Sequence, residues 1–199
     1  MLNIAAFGSG GGSNFRAILA GIKEEAIPGA RISLVISDRA DSGMLESARA
    51  NDLPAVHMVR QQFPDEPTYA NELLALLRRH AVNFVILTGY LKLVPSLVVA
   101  AYRGRMLNIH PALLPRHGGR GMYGMRVHEA VLAAGDTVSG ATVHLVDEEF
   151  DRGPVVLQKT VPVLRGDSAA TLAARVLVIE HEIYSAAIRS FAERDQRHP

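Results

Sequence analysis

The stretch Leu2-Asn3-Ile4-Ala5-Ala6-Phe7-Gly8-Ser9-Gly10-Gly11-Gly12-Ser13-Asn14 decides the fold. An apolar run comes first, a glycine-rich turn follows, and a helical pattern begins at its end. This order is typical of the first strand–turn–helix unit of a sheet whose strands are buried on both faces. Working outward from it, the same alternation of apolar runs and helical patterns continues through the first half of the chain.

The apolar runs predict strands, and the helical periodicity predicts helices between them. Strands are expected at 2–7, 31–37, 55–59, 83–88, 105–109, 139–146 and 154–163. Helices are expected at 14–25, 42–51, 68–80, 95–101, 125–134 and 168–193, with a long loop at 111–124. Because continuous apolar strands alternate with helices, the pattern predicts an α/β fold with a parallel sheet covered on both faces.

Composition narrows the class of protein further. The chain has 199 residues, 21 basic and 20 acidic side chains, 48% apolar residues and no cysteine. These values exclude disulfides, a thiolate zinc site and a thiol nucleophile. The net charge of +1 argues against a protein that coats nucleic acid, and no apolar run approaches the ~18 residues of a membrane span. We therefore expect one soluble, cytoplasmic domain without a nucleic-acid or membrane partner.

The glycine-rich turn at 8–14 is the first candidate site. Glycines allow close approach of a ligand, and the free amides of a helix N-terminus attract an anion. A dinucleotide fingerprint would need glycine where Ser13 stands, although Asp38 at the end of the second strand keeps that alternative open. A flexible turn without any ligand is the other alternative.

Asn108 and His110 form the second candidate site. Side chains alternate along a strand, so these two point the same way, roughly 7 Å apart. They lie at the carboxyl end of a predicted central strand, where open α/β sheets bind ligands. An amide donor and an imidazole could flank one reacting carbonyl. The alternative is a hydrogen-bonded core asparagine and an incidental histidine.

His144 and the acidic turn 147–151 form the third candidate site. A carboxylate from the turn could orient a histidine and raise its pKa, and Asp151 is the candidate for that role. The other three acids of the turn are expected to be solvated. No metal site is predicted, because His128-Glu129 lacks a second histidine four residues on.

Three segments together resemble the folate-dependent formyltransferase family. They are Gly-Ser-Asn at 12–14, Leu-Asn-Ile-His-Pro-Ala-Leu-Leu-Pro at 107–115 and Asp-Arg-Gly-Pro-Val-Val-Leu-Gln at 151–158. The likeness covers about residues 2–192. It implies a three-layer Rossmann-like sheet, mostly parallel with an antiparallel strand in the C-terminal half. It also implies one formyltransferase domain at 1–193 and a frayed tail at 194–199.

The resemblance assigns a reaction and its catalytic residues. It implies formyl transfer from 10-formyltetrahydrofolate to the amine of glycinamide ribonucleotide, in de novo purine biosynthesis. Asn108 and protonated His110 would stabilise the oxyanion, and His110 would act as general acid toward the leaving folate nitrogen. Asp151 would hold His110 and raise its pKa, and His144 would support this network.

The resemblance also assigns the binding residues. Gly12, Ser13 and Asn14 would bind the ribonucleotide phosphate, and Glu180 the ribose. The folate is a consumed cosubstrate, expected to contact Leu91, Lys92, Leu93, Val94, Asn108 and Val146. It implies no metal and no covalent intermediate. Small-molecule substrates are the expected partners, and a homodimer is an open alternative to a monomer.

The chain departs from the family pattern at three places, and two alternative functions stay open. Arg152 follows Asp151 where a small residue is common. The glycine-rich loop 116–127 is expected to be longer than usual and to cover the bound substrates. Acidic residues stand where a basic residue for the folate tail is common, with Arg60 as a substitute. Hydrolysis of formyltetrahydrofolate and a nucleotide-binding regulatory module are the alternative functions.

Overall fold

Every apolar run named above becomes a strand of one sheet. The computed structural model describes residues 1–197, in which seven strands and six α-helices alternate. The strands are β1 Leu2–Gly8, β2 Ala30–Ser37, β3 Ala55–His57, β4 Phe84–Leu87, β5 Met106–His110, β6 Val138–Leu145 and β7 Val155–Pro162. The helices are α1 Ser13–Lys23, α2 Gly43–Arg49, α3 Glu66–Arg79, α4 Ser96–Ala101, α5 Met125–Ala133 and α6 Ala169–Arg197.

The sheet is mixed, and its strand order is β3-β2-β1-β4-β5-β6-β7. The pairs from β3 to β5 are parallel, whereas β6 is antiparallel to both β5 and β7. Thus β6 is the one strand of residues 1–197 that runs against the others. The predicted fold class, mostly parallel with an antiparallel strand in the C-terminal half, is confirmed.

Alternation along the strands divides the core into two layers. In β1, Ile4 and Ala6 pack on the face covered by α1, α2, α5 and α6, while Ala5 and Phe7 pack on the face covered by α3 and α4. Both layers consist of nearly inaccessible aliphatic and aromatic side chains. Because every strand from β1 to β5 has helices on both sides, its apolar run needs no polar break.

The order of the strands opens a crevice between β1 and β4. The chain leaves β1 to build β2 and β3 on one side and then returns to build β4 on the other. The loops that follow β1 and β4 therefore diverge at the carboxyl edge, the position where open α/β sheets bind ligands. Two hydrogen bonds join them, from the Ser9 amide to Gly89 O (3.0 Å) and from the Leu91 amide to Ser9 Oγ (2.9 Å).

Helix α6 packs across one face of the sheet and contacts β4 and β5 near that edge. The Tyr184 hydroxyl, fully buried, lies 3.0 Å from both Leu87 O and Leu107 O, at β4 and β5. The helix continues to Arg197, so the predicted end at Glu193 is wrong by four residues. Positions 198–199 of the predicted tail lie outside the described residues.

Two further differences from the sequence expectations are small. A short 3-10 turn at Arg60–Gln62, for which no pattern was found, precedes α3. Helix α3 begins two residues earlier than predicted, because the Asp65 carboxylate caps it by accepting from the Thr68 amide at 2.8 Å. Within residues 1–197, no helix is long and apolar enough to cross a membrane.

Two valines of α6 test how much stability the core face of this helix contributes. Val176 is fully buried and Val178 is 67% exposed. Val176→Ala should lower the free energy of unfolding by about 2 kcal/mol, because two buried methyl groups are lost and a cavity remains. Val178→Ala, with the same change in side chain and helix propensity, should stay within about 0.5 kcal/mol. Urea unfolding measures both; equal losses would contradict the assigned packing of α6.

Candidate active site

Strand β5 brings Asn108 and His110 to one face of the sheet. Met106, on that same face, is buried in the core beneath α3 and α4, while Leu107 and Ile109 pack on the opposite layer. The two polar side chains follow Met106 toward the carboxyl end of the strand, past the helical cover. The predicted shared face of Asn108 and His110 is therefore present.

The antiparallel register between β5 and β6 sets His144 opposite Asn108 and Thr142 opposite His110. Directly opposed residues place their side chains on the same face. His144 is only 2% exposed and Thr142 is fully buried. The Thr142 hydroxyl donates to Ala112 O at 2.6 Å and accepts from the Leu114 amide at 3.1 Å, which fastens the segment after β5.

Asp151 reaches this face from the turn between β6 and β7. The turn returns tightly, because a side chain on Gly153 would overlap Leu145 O. Asp151 itself has φ +57°, in the left-handed region that non-glycine residues seldom adopt. Strained backbone of this kind is concentrated at functional sites. The tight turn therefore requires glycine at position 153, two residues after Asp151.

The Asp151 carboxylate gathers four groups around itself. Its Oδ2 accepts from the Gly119 amide at 2.9 Å and lies 3.5 Å from His110 Nδ1. Its Oδ1 accepts from Asn108 Nδ2 at 3.3 Å and lies 3.5 Å from His144 Nε2. The structure therefore brings together all four residues predicted to be catalytic.

The hydrogen-bond partners define the tautomer of His144. Its Nδ1 lies 2.9 Å from Leu145 O, and a carbonyl can only accept, so Nδ1 carries the proton. Its Nε2 then accepts from Asn108 Nδ2 at 3.0 Å. The two N–H bonds of the Asn108 amide are directed at His144 and Asp151, which fixes the orientation of that amide.

The same reasoning defines the orientation of His110. Its Nε2 lies 2.8 Å from His117 O and must donate, so Nδ1 is the nitrogen that faces Asp151. The ring is 3% exposed. Protonation of Nδ1 would convert an unfavourable approach of a lone pair to a carboxylate into an ion pair.

The pKa values of this pair depart from ordinary values. Burial works to raise the pKa of Asp151, but His144, His110 and the Gly119 amide together outweigh it and lower that pKa. The Asp151 charge raises the pKa of His110, as predicted. Burial of the imidazole outweighs this effect, so the net pKa of His110 lies below its usual value.

The glycine-rich turn presents an open helix N-terminus at the other end of the site. Gly12 caps α1 in the left-handed region (φ +75°), and no side chain hydrogen-bonds to the first-turn amides. Gly10 and Gly11 have open space around them, while a side chain on Gly12 would crowd Met44. Free amides and the helix dipole make this turn suitable for an anion.

Asn14 and Glu180 are paired beneath this turn. Asn14 Nδ2 donates to Glu180 Oε2 at 2.7 Å, and both side chains are buried. Asn14 was expected to offer a side-chain donor to a ligand, but that donor is engaged with the carboxylate. Burial raises the pKa of Glu180, and the bond from Asn14 only partly opposes it.

A cleft of about 1200 Å³ joins these two regions. Its lining includes the proposed catalytic residues together with Asn14 and Glu180, whereas Gly12 and Ser13 lie next to it at the start of α1. One wall is apolar, with Leu91 and Leu93 about half exposed. All six residues predicted to contact a folate line this cleft, namely Leu91, Lys92, Leu93, Val94, Asn108 and Val146.

Sequence reasoning predicted that the loop after β5 covers the substrates, but it missed the main-chain contacts that this loop makes to the catalytic pair. The main chains of His117 and Gly119 contact His110 and Asp151, and Met122 and Tyr123 line the cleft. The abundance of glycine in the loop was the only signal. Neither Asp38 nor Arg60 is among the cleft residues; Arg60 instead donates to Phe63 O at 2.8 Å.

The described residues contain no cluster of three or more histidine, cysteine, aspartate or glutamate side chains arranged to hold a metal ion. Within the cleft, Asp151, His110 and His144 contact one another and main-chain groups.

Fold and site together define a class of protein. The chain belongs to the formyl transferase family, whose model matches residues 2–188. It is 42% identical over 191 residues to a phosphoribosylglycinamide formyltransferase of Arabidopsis thaliana, covering 96% of this chain and 65% of that protein. It is 38% identical over 192 residues to the enzyme of the same name from Escherichia coli (strain K12), covering 96% of this chain and 88% of that protein.

Solved structures agree with this assignment. Glycinamide ribonucleotide transformylase 1 from Symbiobacterium toebii superimposes with a TM-score of 0.89 at 42% identity, covering 97% of this chain and 88% of that one. This chain spans less than two thirds of the Arabidopsis relative and most of the bacterial proteins.

Removal of the Asp151 charge should lower the pKa of His110 further. The carboxylate stabilises the imidazolium, so Asp151→Asn leaves burial as the dominant influence. The histidine should then lose its proton at a lower pH than in the parent protein, as measured by a ¹H–¹⁵N NMR titration. Asp147→Asn, in the same turn, should leave the titration unchanged. A His110 pKa that stays constant or rises in Asp151→Asn would refute this coupling.

Proposed function

We propose that the protein transfers a formyl group from 10-formyltetrahydrofolate to the amine of glycinamide ribonucleotide. The products are formylglycinamide ribonucleotide and tetrahydrofolate, as in de novo purine biosynthesis. The observation that carries the proposal is that Asn108, His110 and Asp151 line the same cleft as Asn14, Glu180 and an apolar wall. The open N-terminus of α1 lies next to that cleft.

The reaction needs charge stabilisation at the formyl oxygen. The substrate amine attacks the formyl carbon, a carbon–nitrogen bond forms, and negative charge develops on oxygen. We assign this stabilisation to Asn108 Nδ2 and protonated His110 Nδ1, and one such donor is typically worth ~2.7–4 kcal/mol. To reach the oxygen, Asn108 exchanges its longer bond, the one to Asp151.

Collapse of the intermediate moves one proton from the attacking amine to the leaving nitrogen. The bond to the folate nitrogen breaks as His110 gives its proton to that nitrogen, and the proton that the amine loses returns to His110. His110 is the general acid in this proposal, with Asp151 stabilising its charged form. His144 holds the Asn108 amide in the donating orientation.

Substrate binding is assigned to two regions of the site. The ribonucleotide phosphate is assigned to the free amides at Gly12, Ser13 and Asn14, and the ribose to Glu180. A buried carboxyl with a raised pKa suits hydroxyl groups, since its neutral form both donates and accepts hydrogen bonds. The pterin ring is assigned to the exposed apolar wall that includes Leu91 and Leu93.

The proposal also includes the partners, the cellular compartment and the metal requirement of the reaction. The substrates are small molecules, and the steps above need neither nucleic acid nor a membrane. We assign the reaction to the cytoplasm and to catalysis without a metal. A homodimer stays a prediction of the sequence.

The direct test mixes the protein with 10-formyltetrahydrofolate and glycinamide ribonucleotide and follows tetrahydrofolate by absorbance. Release should depend on the acceptor. Asn108→Ala should lower kcat by about 10²–10³, because one oxyanion donor is lost. Asn51→Ala, which removes the same amide far from the cleft, should retain full activity.

Two results would overturn the proposal. One is folded protein that releases no tetrahydrofolate in the presence of the acceptor. The other is formate release at an equal rate without any acceptor, which would indicate hydrolysis. A nucleotide-binding module without catalysis predicts instead that Asn108→Ala and His110→Ala change no measured activity.

A further inference from the structure

The segment 116–119 contacts both members of the His110–Asp151 pair through its main chain. The His117 carbonyl accepts from His110 Nε2 at 2.8 Å, and the Gly119 amide donates to Asp151 Oδ2 at 2.9 Å. Gly118, between them, is packed so closely that a side chain there would overlap Leu114. The position of this short segment therefore decides where both groups are held.

His117 adopts a backbone conformation that its side chain must support. Its φ is +54°, in the left-handed region. Such a conformation costs free energy for a residue with a Cβ and persists only where surrounding contacts impose it. The contact here is a hydrogen bond to a carboxylate: His117 Nε2 lies 2.7 Å from Asp136 Oδ2.

Asp136 anchors this side chain from a separate element. It follows the C-terminus of α5, and its side chain is 12% exposed. The hydrogen bond from His117 is the largest influence that holds the pKa of Asp136 below its usual value, so this carboxylate is charged. Its other oxygen accepts from Arg116 at 2.6 Å, but Arg116 is 64% exposed.

The carbonyl of His117 has a consequence for the chemistry of His110. Because a carbonyl only accepts, it retains a proton on Nε2. The proton that His110 gains and loses is then the one on Nδ1, the nitrogen beside Asp151. If the carbonyl moved, neutral His110 could carry its proton on Nδ1 instead of Nε2. The imidazole ring could then also change its orientation.

We propose that Asp136 and His117 are positioning residues: the hydrogen bond between their side chains holds the His117 carbonyl against His110 Nε2 and thereby selects the tautomer and orientation of the catalytic imidazole. The effect on reaction rate rests on the proposed formyl transfer. The effect on the tautomer does not. Neither residue is assigned contact with a substrate.

Several ionisable groups face His110 besides this carbonyl. Burial lowers its pKa most, Asp151 and the His117 carbonyl raise it, and the charges of His144 and His117 lower it. The charge of His110 in turn influences His128 on α5. Loss of the carbonyl contact removes one of the two raising influences, so the pKa of His110 should fall.

The first test measures the tautomer without any substrate. Protein labelled with ¹⁵N-histidine is examined by two-bond ¹H–¹⁵N correlation above the His110 pKa. The parent protein should show one tautomer protonated at Nε2, and Asp136→Asn should show a mixture with the Nδ1-protonated form. Arg116→Ala, which removes the exposed partner of Asp136, should match the parent. An unchanged tautomer in folded Asp136→Asn overturns the inference.

The second test measures the rate. Asp136→Asn should lower kcat by about 10- to 100-fold with KM values nearly unchanged, because the imidazole is misplaced while the substrate contacts remain. The limb of the kcat–pH profile that requires protonated His110 should move to lower pH. His117→Ala should behave in the same way, and His117→Asn should recover part of the loss because its amide can still donate to Asp136.

These measurements separate the two proposals. If Asp136→Asn does not fold, His117→Ala carries both readouts. A shifted tautomer in a protein that never transfers formyl groups supports the positioning role and contradicts the proposed function alone. A loss of kcat without a shift in the pH profile or in the tautomer overturns the positioning role.

Discussion

The buried charge of Asp151 is the constraint on which the site depends. A carboxylate removed from water is costly unless nearby donors replace its hydration. Here the side chain is 9% exposed, and its neighbours come from separate parts of the chain. Asn108 from β5 and the Gly119 amide from the following loop donate to it, and His144 from β6 lies 3.5 Å away. The need to satisfy one charge therefore fixes the relative positions of three segments that share no local sequence.

These groups can meet because β6 runs antiparallel to β5. Antiparallel pairing sets His144 directly across from Asn108, and the turn after β6 then folds back over the same face of the sheet. Without a side chain at Gly153 the turn can pass close to the backbone of Leu145. The parallel strands form the sheet and its crevice. The antiparallel strand β6 places His144, and the turn that follows it places Asp151, beside Asn108 and His110.

The sequence predicts those features that depend on local periodicity. Continuous apolar runs identify the strands, and alternation within β5 puts Asn108 and His110 on one face. The His117 contact was not predictable in this way, because it uses a main-chain carbonyl and the residue's side chain serves only as the anchor. The Asn14–Glu180 bond spans 166 positions, and no local pattern reports it. The lowered pKa of His110 depends on burial, which only tertiary packing decides.

Two buried carboxyl groups in the same cleft show how neighbours, rather than burial, decide protonation. Glu180 has the neutral Asn14 amide as its partner, so burial prevails and its pKa rises. Asp151 has a main-chain amide and two imidazoles as partners, and their combined effect lowers its pKa despite burial. Environments that separate the pKa values of similar groups assign them different chemical tasks. The charged carboxyl beside His110 suits the stabilisation of an imidazolium, and the more readily protonated one beside the helix N-terminus suits the hydrogen-bonding of hydroxyl groups.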